Sequence, residues 1–219
     1  MADSFLDIVS GVPTLKAAVA SSAGAGDAGK IPRLGAAGVL DPSLLPTIPG
    51  CDYLGGDEAS NSAYLLFDGI FSADYDIYTV HFVDLAPVAD NVTLLLRWRD
   101  AGADVTGTTH YTGLRYIAPT ASTAGSLFAS STSGHVCPYA EQGNAAGECA
   151  NLTITMAPRS GARKEIRIEG SYVNYLGNLI GVSGNSTLAN TTAMTGFKVL
   201  YNTTNISSGK VLVYGWHLP

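Results

Sequence analysis

Asp76-Ile77-Tyr78-Thr79-Val80-His81-Phe82-Val83-Asp84-Leu85 is the stretch on which the fold class turns. Ile77, Thr79, His81, Val83 and Leu85 alternate with Tyr78, Val80 and Phe82, the period of two that sends successive side chains to opposite faces of a strand. Its β-branched and aromatic residues suit a pleated surface, and both faces are apolar enough to be half buried. Downstream, Val92, Leu94, Leu96 and Trp98 alternate with Thr93, Leu95, Arg97 and Arg99. Asp100-Ala101-Gly102 then supplies turn chemistry towards a further strand over 109–116, so this region reads as a meander.

Residues 118–150 are dominated by Ser, Thr, Gly and Ala, with Leu127 and Phe128 as the one strand centre, and are expected to be a long loop. Alternation resumes at Leu152, Ile154 and Met156, at Ile166 and Ile168, and at Phe197, Val199 and Tyr201. It ends with Val211 and Val213, or Leu212, Tyr214 and Trp216, as the inward set. Arg159-Ser160-Gly161 and Ser207-Ser208-Gly209 are turn signals between these runs. The expected fold is all-β: an antiparallel, jelly-roll-like β-sandwich over residues 51–219.

Residues 1–50 differ. Phe5, Ile8, Val12, Leu15 and Val19 recur at spacings of three and four, the seam of a self-associating helix. Gly11 and Pro13 interrupt it, and a proline inside a helix costs about 3 kcal/mol, so short helical turns are expected in place of one helix. Residues 21–38 are rich in Gly, Ala and Ser, and Pro32, Pro42, Pro46 and Pro49 punctuate a segment without period. Its apolar side chains Ile31, Leu34, Val39, Leu40, Leu44, Leu45 and Ile48 exceed what a free linker carries, so this arm is expected to dock onto another surface. The chain therefore divides into a partly helical, partly extended arm, 1–50, and the sandwich.

With 219 residues, 46% hydrophobic and a mean hydropathy of +0.19, there is apolar surface for one sizeable core. Charged residues make up only 14%, so the exposed faces are expected to be neutral and hydroxyl-rich. A net charge of −6 gives no basic field for phosphates, and no nucleic acid partner is expected. No apolar run approaches the roughly 20 residues that span a bilayer, and no basic, signal-like start is present, so membrane insertion is not expected and synthesis in the cytoplasm is. Six Asn-x-Ser/Thr triplets, beginning at Asn91, Asn151, Asn185, Asn190, Asn202 and Asn205, then read as Thr-rich β structure and not as glycosylation sites.

Three cysteines cannot make a disulfide framework. His135, Cys137 and Cys149 carry zinc-type donors without a zinc spacing, and structural thiols are the plainer reading. Asp68, Asp74 and Asp76 flank the first long strand, where calcium binding competes with turn capping. Glu165 and Glu169 superficially resemble a glycosidase pair, but with Arg167 between them they are expected to form a charged strand face. Arg97 and Arg99 are likewise expected on a solvated face. No Gly-x-Ser-x-Gly, His-Glu-x-x-His or phosphate-loop motif is present, so neither catalysis nor a cofactor is expected. Tyr111, Tyr116, Tyr139, Tyr172 and Tyr175 are core candidates, and Tyr111, Tyr116 and Tyr139 are also candidates for stacking on sugar rings.

Two stretches resemble a known class. Residues 26–46, with a Gly29-Lys30-Ile31 turn before Gly38-Val39-Leu40-Asp41-Pro42-Ser43-Leu44-Leu45-Pro46, resemble the arm near the N-termini of many tailed-bacteriophage fibre and virion proteins. Tyr75-Asp76-Ile77-Tyr78, taken with Gly196-Phe197-Lys198-Val199-Leu200-Tyr201 and Asn205-Ile206-Ser207-Ser208-Gly209-Lys210, is similar to β domains of phage structural proteins. The resemblance implies a virion structural protein of fibre or spike type, trimeric, attached to other virion proteins by the arm and turning its β domain outward; contact of that domain with host surface glycans is then expected. Phe5, Leu15, Val19, Ile31, Leu34, Leu40, Leu44 and Leu45 are the expected anchoring and oligomer contacts. The chain is short for a fibre and has no long shaft, which keeps a capsid head decoration protein as one alternative; the sandwich, the tyrosines and the hydroxyl-rich loops keep a stand-alone carbohydrate-binding module as another.

Overall fold

The computed structural model describes residues 4–9, 12–17, 50–106, 110–117, 123–130, 132–137, 142–158, 161 and 163–217, with backbone alone for 4–9, 12–17 and 123–130. The chain divides into two units, Met1–Ile48 and Pro49–Pro219.

In the first unit β1 (Ser4–Val9) pairs antiparallel with β2 (Val12–Ala17), Ser4 opposite Ala17 and Val9 opposite Val12. The helical turns expected here are thus replaced by extended backbone. β-Branched Ile8, Val9, Val12 and Thr14 favour it, and in a two-stranded ladder every strand is an edge, where Pro13 can sit without its missing N–H breaking a central pairing.

The second unit is the expected antiparallel sandwich. Its larger sheet has eight strands in the order β3 (Cys51–Glu58), β15 (Ile206–Trp216), β5 (Ile77–Pro87), β11 (Ala150–Ala157), β12 (Lys164–Val173), β13 (Leu179–Leu188), β8 (His110–Ile117), β9 (Thr123–Ser130). The smaller runs β10 (Gly134–His135), β6 (Leu94–Asp100), β14 (Gly196–Tyr201), β4 (Leu65–Phe67), with β7 (Ala103–Asp104) also paired to β6. The chain passes repeatedly from one sheet to the other, which makes the sandwich jelly-roll-like. It also removes the expected meander: β5 and β8 lie in the large sheet, β6 in the small one. The turn at Ala101-Gly102 instead closes the short β6–β7 hairpin, both residues adopting positive φ (45° and 81°) as a tight two-residue hairpin requires.

Tyr78, Val80, Phe82, Ile154 and Ile168 from the large sheet face Leu94, Leu96, Trp98, Phe197 and Val199 from the small one, all buried. Phe71, in the connection between β4 and β5, ties the layers together: its ring lies edge-on to Tyr78 at 4.6 Å and stacks on Phe197 at 5.8 Å. Each such side chain contributes about 1.5–3 kcal/mol by leaving water. On β15 it is Val211 and Val213 that point inward and Leu212, Tyr214 and Trp216 that face outward. The loop expected over 118–150 contains two strands, β9 paired to β8 along its whole length and the short β10 on β6.

Candidate functional site

The outer face of the large sheet follows from its register. Paired residues of an antiparallel ladder point to the same side, so Trp216 opposite Ile77, Glu165 opposite Ala157 and Thr187, and Thr187 opposite Tyr111 fall in one row across the strands. A parallel row holds Tyr53 and Tyr214 on β3 and β15, Thr79, Thr155, Arg167 and Asn185. Between these rows lies a groove of about 400 Å³ bounded by Ile77, Thr155, Glu165, Arg167, Asn185 and Thr187. Aromatic side chains stand beyond its two ends: Trp216, 41% exposed, and Tyr111, 54% exposed. The Trp216 indole is held in place by its Nε1–H, which donates to Thr79 Oγ1 at 2.7 Å. Tyr53 and Tyr214 (ring centroids 5.5 Å apart) and His81, edge-on to Tyr214, extend the aromatic end.

Glu165, Arg167 and Glu169 form the expected charged strand face, exposed in alternation with buried Ile166 and Ile168. Arg167 Nε donates to Glu169 Oε1 at 3.0 Å, cancelling its charge locally. Four residues along one strand place the two glutamate Cα atoms roughly 13 Å apart, with the guanidinium between them. This is not the close carboxyl pair of a glycosidase.

Of the tyrosines expected to share a sugar platform, Tyr111 is on the outer face. Tyr116, five residues further on the same strand, faces inward and packs against the core, so the two cannot form one platform. Tyr139 lies outside the described residues. Tyr172 is buried and Tyr175 exposed. Sequence reasoning missed Trp216 as a site residue; the signal was its place on β15, an even number of residues from Leu212 and Tyr214 and out of phase with the inward valines.

The anchoring candidates Val19, Ile31, Leu34, Leu40, Leu44 and Leu45 fall outside the described residues, and Phe5 and Leu15 belong to β1 and β2, described by backbone alone.

Arg97 and Arg99 do not lie on a solvated face. Asp104, on β7, accepts from Arg97 at 2.8 Å and also from Arg99 and Lys198, while Asp68 holds Arg99 in a two-pronged pair at 2.6 and 3.0 Å. Three cations thus share two carboxylates on the outer side of the small sheet. Burial alone would raise the Asp104 carboxyl, but hydrogen bonds from Lys198 and Arg97 outweigh it and lower it to about 2.

Asp68 is thereby committed to Arg99, and Asp74 to the Ser72 hydroxyl, which donates to it at 3.1 Å. Asp76 opens the approach to β5, its backbone N–H donating to Trp216 O at 3.3 Å. Cys137 is fully buried, which pushes its thiol far above the ordinary range; burial and the neighbouring Asp84 raise Cys149, whose thiol donates to Asp84 Oδ1 at 3.5 Å. Among the described residues no three His, Cys, Asp or Glu side chains are grouped to hold a metal ion. No described helix is long and apolar enough to cross a membrane.

No family model, curated protein or solved structure matches the chain.

Proposed function

We propose that this chain is a non-enzymatic structural protein of a tailed-bacteriophage virion, of fibre or spike type, made in the cytoplasm of the host bacterium and incorporated into the particle. Residues 1–50 attach it to other virion proteins and to copies of itself, as a trimer, and the sandwich faces outward, where it contacts host surface glycans. The observation that carries this reading is the arm: the Gly38–Pro46 run with its Leu-Asp-x-Ser-Leu-Leu-Pro pattern, embedded in apolar residues that have no periodicity of their own. Such residues gain stability only by leaving water against another surface. A head decoration protein would satisfy the same arm.

Joint replacement Leu44→Asp and Leu45→Asp puts two charges into that contact. The expected outcome is loss of the protein from purified particles while the soluble chain still folds; normal incorporation of the double variant would refute the anchoring role. Mass in solution of the full chain is expected at three times 22.6 kDa. A second reading, a carbohydrate-binding module with no virion role, is favoured by the aromatic-bounded groove, and a monomeric mass with intact glycan binding would select it.

A further inference from the structure

We infer that the groove across the outer face of the eight-stranded sheet binds an extended, electrically neutral polysaccharide chain, with Trp216 and Tyr111 stacking on sugar rings at its two ends. The inference deepens the reading of the sandwich as the glycan-contacting part of the protein, and is independent of whether the arm attaches to a virion.

Three features select this occupant. The first is length. From β15, which carries Trp216, to β8, which carries Tyr111, are five strand-to-strand steps, roughly 24 Å at about 4.8 Å each. A rod-like chain lying across the strands reaches both aromatics, whereas a single small ligand does not.

The second is the chemistry between the ends. Thr155, Arg167, Asn185, Thr187 and Glu165 offer hydroxyl, guanidinium, amide and carboxylate groups at the successive strand spacings of β11, β12 and β13. These are the donors and acceptors that hydroxyl groups of sugars require, and Trp and Tyr add flat apolar faces to match the C–H faces of the rings. A second copy of the chain, or another protein, fits less well: the centre of a stable protein interface is depleted of charge, and here Glu165 and Arg167, with Asn185, stand in the middle beside apolar Ile77 and Ala157.

The third is charge. Arg167 is neutralised by Glu169, and Glu165 adds one negative charge, in a protein of net charge −6. A polyuronate or sulfated chain would be repelled, so the favoured ligand is neutral.

The test uses the full chain in native affinity electrophoresis, through gels containing dextran, galactomannan, neutral bacterial O-polysaccharide, polygalacturonate or alginate. Retardation by at least one neutral polymer is expected, unchanged between low and high salt. Trp216→Ala and Tyr111→Ala are each expected to weaken it roughly tenfold, about 1.4 kcal/mol, with Tyr175→Ala, away from the groove, binding as the parent does. Trp216→Phe, which keeps a flat ring, serves where the alanine variant unfolds, and is expected to retain most of the retardation. Failure of every neutral polymer to bind, preference for the uronates, or full affinity in Tyr111→Ala would overturn the inference. Loss of virion incorporation on altering Leu44 and Leu45 leaves this outcome untouched, so the two readings fail separately.

Discussion

Asp104 occupies a strand of only two residues, yet it accepts hydrogen bonds from Arg97, Arg99 and Lys198, whose side chains come from two neighbouring strands. Because its carboxyl is lowered to about 2 in the folded chain against about 3.9 in an unfolded one, it contributes stability at neutral pH that is present above pH 4 and is lost as the pH falls towards 2. Solvent screening at this partly exposed site holds that contribution to about 1 kcal/mol. Asp104→Asn removes it and takes the carboxylate away from Arg97 and Lys198 while Arg99 keeps Asp68, so a loss of about 2 kcal/mol is expected at pH 7, measured by urea unfolding. At pH 2.5 the difference between the variant and the parent should shrink; an equal gap at both pH values would show that the charge of Asp104 is not what stabilises the hairpin. At the same scale, the sequence displayed Arg97 and Arg99 as an alternating pair but not their partners. Asp68 is 31 residues from Arg99, and no local pattern encodes a pairing across that separation.

The strand β5 shows how an element departs from its own pattern. Strict alternation assigns Leu85 to the side of Ile77, Thr79, His81 and Val83, but Leu85 is fully buried on the side of Tyr78, Val80 and Phe82. Asp84 makes the switch. It adopts a positive φ of 51°, and the pairing of β15 with β5 shifts register here, as does that of β11 with β5. Such a bulge inserts one residue and re-aims those that follow. Opposite it, Gly209 has φ of 105°, and a Cβ there would lie 2.5 Å from Asp84 O and from Leu85 Cα, backbone atoms that cannot give way. Gly209→Ala is therefore expected to lose about 3 kcal/mol, from strain in the left-handed region and from the clash, seen as a fall in Tm of ten degrees or so in calorimetry. A neutral result would mean that the bulge relaxes freely. The same effect of diluted alternation hid β13. Its inward positions read Ile180, Val182, Gly184, Ser186 and Leu188, and the small and polar members interrupt the apolar pattern that marks its neighbours. Gly184 has a packing reason: a Cβ would meet Gly113 O at 2.2 Å. Ser186 is satisfied across the sheet, accepting from Thr112 at 2.8 Å.

For the whole molecule, the buried apolar core of the second unit runs from Ala59 to Val213 and draws on both sheets, so the sandwich carries the means of its own stability. Residues 49–219 produced alone are expected to unfold cooperatively within a few degrees of the full chain; a collapse of Tm on removing 1–48 would show that the arm is part of the fold. What the sequence alone determined is the class of fold, because period-two alternation of β-branched and aromatic residues is a local property written in neighbouring side chains. It also marked the Glu165–Glu169 face as outward, since phase along one strand needs no partner, whereas Tyr111 was separated from inward-facing Tyr116 only by the structure. Strand order, the passage of β6 into the second sheet, the bulge at Asp84 and the alignment of Trp216, Arg167 and Tyr111 along one groove were decided only in the tertiary structure. Those features depend on which strands lie side by side, and lateral neighbours are chosen by packing over the whole core, between residues as distant in sequence as Tyr111 and Trp216.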